Sequence, residues 1–390
     1  MRKRLILILV FSLVLSGCGL INTPKSPTAS ITPSSPSPTP SSVSTSSSKA
    51  SWTGLNVTWT KIEQANFPPN RVDYFLSYDS KRDRLLLFGG LKIADGVYMN
   101  DLWAFNFSTN LWELLSKGEE LPSPLLYPHP DSPREIVYDP LGDRLLLFQC
   151  GPSKEAQFAK YEVQVFAFNF EENCWTQLDP PLKPPDRLSW FRVVQDSKND
   201  RVFLFGGEQI IQGSGPSDVQ EVQAKDLWVF DCKSDRWREL ASNITLPGRF
   251  PIDLGPSSYD PQKDRLLILK SREDDQNFYD VSALKLSGTS WSDLKSSNPP
   301  TFRSTRYVAY DPLFHVLILP GGPGGLERER PFKAEISIYY PEINCWTHHG
   351  YLPGNDGDHL IVAGKPGEAY ILTRDFYGSS HHLWRLTLGP

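Results

Sequence analysis

Residues 83–90 read Asp-Arg-Leu-Leu-Leu-Phe-Gly-Gly, and the same run returns at 143–150 (DRLLLFQC), 200–207 (DRVFLFGG) and 264–271 (DRLLILKS). A looser copy is His315-Val-Leu-Ile-Leu-Pro-Gly-Gly322. Each copy is apolar at successive positions, as in a strand buried on both faces. Each is preceded by an Asp four residues before the second Asp: Asp79, Asp139, Asp196 and Asp260, with Asp311 before His315. Asp followed by Pro or Ser suits the opening of a type I turn, so Asp79–Asp83 and its counterparts are predicted hairpin connections.

Working outward, Asp101-Leu-Trp103-Ala-Phe and Asp226-Leu-Trp228-Val-Phe supply a further strand. Trp112, Trp175, Trp237, Trp291 and Trp346 then recur at steps of 63, 62, 54 and 55 residues. Self-similarity near a 50-residue period, in strand-sized pieces, indicates a propeller of four-stranded blades. A blade is covered by neighbours on both sides, which explains why its central strands have no wet face.

The last unit, after Trp346, holds only three strands: one from His359, one from Glu368 and one from His382. The missing fourth is found at the other end of the chain, as Val57-Thr-Trp59-Thr-Lys-Ile62. The N-terminal strand is therefore expected to complete the last blade, which removes the unpaired edge of an open ring. The fold class is all-β, a six-bladed propeller over 51–390 closed by its N-terminal strand.

The LLLFGG strand, the DLWxF strand and the trailing Trp together resemble the Kelch repeat, and the resemblance covers about 55–388. Full glycine pairs occur at Gly89-Gly90, Gly206-Gly207 and Gly321-Gly322, whereas the second unit has Gln149-Cys150-Gly151 and the fourth has no pair.

The N-terminus reads differently. Arg2, Lys3 and Arg4 precede the apolar run Leu5 to Leu15, too short for a stable span and suited to a secretory signal. Leu15-Ser16-Gly17-Cys18 resembles the lipobox of bacterial lipoproteins. That resemblance implies a signal peptide over 1–17, lipidation of Cys18 and an exported chain anchored to the membrane, facing the periplasm or the cell exterior. Several acyl chains on one residue anchor stably where one does not. Gly19 stands where the inner-membrane retention signal has Asp. Residues 21–50 contain 22 Ser, Thr or Pro in 30, too polar to offset the entropy of ordering, and read as a tether that continues from Cys18. Loss of Arg2, Lys3 and Arg4 takes the formal charge from −5 to −8, which argues against nucleic acid as a partner.

Candidate sites concentrate on the face opposite the short turns, in the longer connections 91–100, 149–160, 208–225, 270–279, 320–333 and 374–381. Long loops on a rigid scaffold are where binding generally lives. Arg71, Arg187, Arg249 and Arg303, with Arg306, fall shortly before inner strands and are expected around the mouth of the central channel. There they would either bind a carboxylate ligand or pair with neighbouring loops. His349, His359 and His382 are weak candidates for a metal, since adjacent strand residues point to opposite faces and each His pair offers one ligand at most. Cys150 and Cys174 belong to the second and fourth strands of one blade, roughly 9–10 Å apart and beyond the roughly 7 Å a disulfide tolerates. Free, buried thiols are therefore expected at Cys150, Cys174, Cys232 and Cys345.

No Gly-rich phosphate loop, nucleophile elbow or His-Glu-x-x-His is present, and no cofactor is implied. The copper ligands of the galactose-oxidase type of Kelch propeller have no counterparts here. The sialic-acid mutarotase type is compatible with channel-mouth arginines but shares no specific motif. The expectation is a membrane-anchored module that binds protein or glycan through its long-loop face. The alternative is a carbohydrate-active enzyme that uses the arginines.

Overall fold

The computed structural model describes residues 54–122, 134–152, 161–186, 191–212, 219–247, 255–271, 279–288, 290–300, 307–321, 335–352, 359–374 and 380–390. No helix occurs among them. The strands build six blades of antiparallel β-sheet, arranged as a β-propeller.

Blade one contains β3 (Phe75–Asp79), β4 (Arg84–Lys92), β5 (Val97–Asn106) and β6 (Leu111–Ser116), with the short β2 (Arg71–Val72) added along the far end of β4. Blade two is β7 (Arg134–Asp139), β8 (Arg144–Pro152), β9 (Tyr161–Asn169) and β10 (Cys174–Leu178). Blade three is β11 (Phe191–Asp196), β12 (Arg201–Gly206), β15 (Leu227–Asp231) and β16 (Arg236–Ala241). Between its second and third strands lies a separate ribbon, β13 (Glu208–Gln212) with β14 (Val219–Gln223). Blade four is β17 (Ser257–Asp260), β18 (Arg265–Ser271), β19 (Tyr279–Lys285) and β20 (Trp291–Asp293). Blade five is β21 (Ala309–Asp311), β22 (Val316–Pro320), β23 (Glu335–Tyr340) and β24 (Cys345–Tyr351).

Blade six is the composite one. It joins β25 (His359–Ala363), β26 (Glu368–Arg374) and β27 (His381–Gly389) to β1 (Asn56–Ile62). Trp59 lies opposite Leu386, which lies opposite Ala369. In blade one Trp112 lies opposite Phe105, which lies opposite Leu85. The N-terminal strand thus closes the ring with its Trp in the register of the other outer strands.

The apolar runs answer to this stacking. Leu85, Leu86, Leu87 and Phe88 are all fully buried, but they serve two interfaces, because successive strand residues point to opposite faces. Leu85 and Leu87 pack with Tyr370 and Leu372 of blade six. Leu86 and Phe88 pack with Leu145 and Leu147 of blade two. Leu146 and Phe148 then meet Val202 and Leu204, Phe203 and Phe205 meet Leu266 and Ile268, and Leu267 and Leu269 meet Leu317 and Leu319. Val316 and Ile318 meet Ile371 and Leu386. The core among the described residues is therefore distributed over the blade boundaries. Each outer-strand Trp caps the preceding boundary: Trp175 lies 5.4 Å from Phe88, Trp237 5.9 Å from Phe148 and Trp291 5.7 Å from Phe205.

Two expectations about connections change. Residues 91–100 are mostly strand, since β4 and β5 run out beyond the blade and Val72 and Arg71 pair with Leu91 and Lys92. Much of 208–225 is the β13–β14 ribbon, whose paired backbone satisfies polar groups that an irregular loop would leave to water. Cys150, Cys174, Cys232 and Cys345 form no disulfide, as expected, but Cys174 and Cys345 are only half-buried.

Candidate binding face and the clasped face

The strand directions sort the connections onto two faces. The short face carries the turns from first to second strand and from third to fourth. There the Asp-Arg motif has a specific geometry. Asp83, Asp143, Asp200, Asp264 and His315 all take positive φ, between 45° and 55°, a region that Asp and Asn tolerate better than most residues. The preceding Asp accepts from turn amides, as Asp79 Oδ1 does from Lys81 and Arg82 at 3.2 and 3.1 Å. The Arg of the motif locks that same Asp: Arg84 Nε to Asp79, Arg144 to Asp139, Arg201 to Asp196 and Arg265 to Asp260, at 2.8–2.9 Å. The inner-strand tyrosine completes the cage. Tyr78, Tyr138 and Tyr259 donate to Asp83, Asp143 and Asp264 at 2.7, 3.0 and 2.7 Å. In blade five the pair is Tyr310 with His315 Nδ1 at 3.1 Å.

These turns also clasp neighbouring blades. Arg82 reaches Asp143 at 2.7 Å, Arg144 reaches Asp235 at 2.5 Å and Arg201 reaches Asp264 at 3.2 Å. Arg265 donates to the Pro341 carbonyl at 3.3 Å, the Gly367 amide to Asp311 at 2.5 Å, and Lys365 to Asp83 at 2.5 Å. Hydrogen bonds from Arg82 hold Asp143 well below the usual carboxylate range.

The opposite, long-loop face is irregular. Arg71 does not stand free at the channel mouth: it is fully buried. Its guanidinium makes a bidentate pair with Asp101 at 2.6 and 2.9 Å and donates to the carbonyls of Gly89 and Pro69, both at 2.9 Å. Asp101 also accepts from Trp103 Nε1 at 2.7 Å. A buried guanidinium needs such compensation, so Arg71 is committed to holding the β4–β5 arm. Arg187, Arg249, Arg303 and Arg306 lie outside the described residues, as does Cys18.

Held by that pair, the arm projects Ile93 and Val97, 45% and 41% exposed, at its tip. Gly96 makes the turn at φ +68°, and Lys92 and Asp95 form an ion pair at 2.6 Å. Leu182 and Tyr351 are also exposed on this side.

The histidine candidates do not converge. His349 bonds Thr347 at 2.6 Å on β24, whereas His359 and His382 sit on β25 and β27 of blade six. Among the described residues none of them belongs to a group of three potential metal ligands. His381, which the sequence did not single out, is buried and stacked on Phe67 with ring centroids 4.2 Å apart. Burial pulls its imidazole down to about 4, against a raising hydrogen bond to the Arg71 backbone. Among the described residues the one group of three is Asp139, Asp200 and Cys232 on the clasped face.

Six blades with a buried apolar second strand and a Trp-bearing outer strand, and a DLW third strand in blades one and three, define a Kelch-type β-propeller. Residues 45–242 match the Attractin/LZTR1 β-propeller family, and the chain belongs to that family. Kelch domain-containing protein 10 of Xenopus tropicalis is 27% identical over 197 residues, 49% of this chain and 42% of that protein. The dynein alpha chain of the flagellar outer arm of Chlamydomonas reinhardtii is 25% identical over 236 residues, 56% of this chain and 5% of that protein. In both cases the match spans less than half of the relative's own length.

Proposed function

We propose that this propeller is a protein-binding module that works through its long-loop face and is held at a membrane by a lipid on Cys18. The observation that carries the reading is the β4–β5 arm. It is stiffened by β2 and by the buried Arg71–Asp101 pair, yet it offers Ile93 and Val97 to solvent. A rigid apolar tip beside a Lys–Asp pair has the make-up of a protein contact, with an apolar centre and a polar rim. The Kelch-type fold and the Kelch domain-containing relative are consistent with this use. The attachment geometry supports it as well. Asn56 begins β1 at the short-turn end, so the point where an N-terminal anchor joins the ring lies on the face opposite the arm.

The test is a photo-crosslinking amino acid placed at residue 93 or at residue 313 in the full chain, in cells. Residue 313 is an exposed Leu on the short-turn face. The expected result is a discrete protein adduct from 93 that is absent from 313 and lost in Val97→Asp. Adducts to polysaccharide alone, or equal labelling from both positions, would overturn the reading.

A further inference from the structure

The boundary between blades two and three departs from the repeat at two positions at once. One boundary earlier, Tyr138 donates to Asp143 at 3.0 Å, and Arg82 lies between Asp79 and Asp143, at 3.2 and 2.7 Å from them. The corresponding residues here are Gln195 and Gly142. The Gln195 amide turns away to the Tyr138 carbonyl at 2.6 Å. Gly142 brings no side chain at all. Neither the bridging hydroxyl nor the bridging cation is replaced.

Asp139, Asp200 and Cys232 fill the place instead, with one ligand atom from each within 4.8 Å of the others. Asp139 and Cys232 are 1% and 5% exposed. The Cys232 thiol is in no disulfide, and it has no hydrogen-bond partner among the described residues. The surrounding charge is lopsided. Asp139, Asp200, Asp231 and Asp235 face one guanidinium, Arg144, which is already divided between Asp139 at 2.9 Å and Asp235 at 2.5 Å; Lys233 sits outside, beside Asp231.

We propose that Asp139, Asp200 and Cys232 form a binding site for a divalent cation of borderline softness, best matched by zinc. The donor set decides the class. A sulfur ligand disfavours magnesium and calcium, and carboxylates beside a thiolate suit zinc. Tetrahedral zinc with bonds of about 2.0–2.3 Å keeps its ligand atoms about 3.3–3.8 Å apart, so the widest pair here closes by about 1 Å. Asp139 accepts from the Gly142 amide at 2.8 Å and from Arg144 at 2.9 Å, and it shares a side-chain hydrogen bond with Asp200 that the ion would replace. Water supplies the fourth position. On binding, the Cys232 thiol gives its proton to solvent, and the thiolate and the two carboxylates ligate the ion. Asp139 belongs to blade two, whereas Asp200 and Cys232 belong to blade three, so the ion staples one blade to the next beside the Arg144–Asp235 clasp.

The experiment titrates the purified full chain with cadmium, whose bond to a thiolate gives a near-ultraviolet charge-transfer band, and follows zinc by competition and by melting temperature. The expected result is a saturable one-to-one band that zinc displaces, with a melting temperature that rises with zinc by mass action. The band should vanish in Cys232→Ala and persist in Cys150→Ala. Asp200→Asn keeps the thiol and removes one ligand, so it should weaken cadmium binding by about tenfold or more, the scale on which losing even an outer supporting group acts. Melting curves without metal establish that each variant is folded. Absence of the band in the folded wild-type chain, its survival in Cys232→Ala, or unchanged affinity in Asp200→Asn would each overturn the proposal.

Discussion

On the short-turn face one design is used again and again: an Asp takes a left-handed backbone, a Tyr caps it, and a cation crosses to the next blade. On the long-loop face the described residues show individual pairs instead, the bidentate Arg71–Asp101 pair buried in blade one and a Lys270–Asp293 pair at 2.9 Å in blade four. The difference shows how a propeller separates its tasks. Repeated, half-exposed clasps set the spacing of the blades, and each contributes little. A single buried pair fixes one arm in one direction, and losing half of it is costly. Conserving the first face leaves the second free to vary in shape.

The largest break in this comparison comes from removing the strand that both faces share. A chain beginning at residue 66 lacks β1 and bares the edge of β27. Trp59 is only half-buried, so the larger loss is the whole paired edge of β27, set against a typical total stability of about 5–15 kcal/mol. Such a chain should aggregate or melt far below one beginning at residue 51. Equal melting temperatures would show that β1 does not hold the ring.

The two faces can then be set against each other with two arginines. Arg71→Ala leaves Asp101 buried without its counter-charge and should cost about 3–5 kcal/mol. Arg82→Ala breaks a half-exposed clasp to Asp143 and should cost about 0–1 kcal/mol, less at high salt. Denaturant melts of both variants give the ratio. A small loss for Arg71→Ala would mean that its guanidinium is not committed to the blade.

Acid probes the long-loop side separately, with an effect between those of the two arginines. His381 is held near 4 from an ordinary 6.5 by burial, so its contribution is complete above 6.5 and is lost as pH falls toward 4. By pH 5 the loss should be about 2 kcal/mol. His381→Phe should remove that part of the pH dependence of unfolding while leaving other titrations in place. An unchanged profile would place the acid sensitivity elsewhere.

The blade count, the closing strand and the place of Trp59 were legible because buried strands repeat their apolar positions, and an absent fourth strand is conspicuous in a repeat. The role of the second Asp was not. Asp83 and Asp143 read as turn formers, but their positive φ and their grip on Tyr78 and Tyr138 depend on chain geometry. Of the two uses open to Arg71, pairing is the one realised, and the sequence did not identify the partner because Asp101 is 30 residues on, inside a motif read only as a strand marker. The β13–β14 ribbon was taken for loop because its glycines and its length masked two short runs of alternating residues. Asp139, Asp200 and Cys232 could be grouped only by aligning neighbouring blades and asking which bridging residues were missing, since 61 positions separate Asp139 from Asp200.

Blade six has a consequence for how the chain can be cut. The Asn56 side-chain amide donates to the Pro390 carbonyl at 2.6 Å across 334 positions of sequence. Bringing two such distant points together in a free chain costs on the order of 5 kcal/mol, but stacked blades one to five already hold them side by side. The seam is thus a matter of bookkeeping in the gene rather than of architecture. A circular permutant that joins residue 390 to residue 54 and opens the chain in the turn at 141 would keep every strand in its present sheet, with the seam moved to blade two.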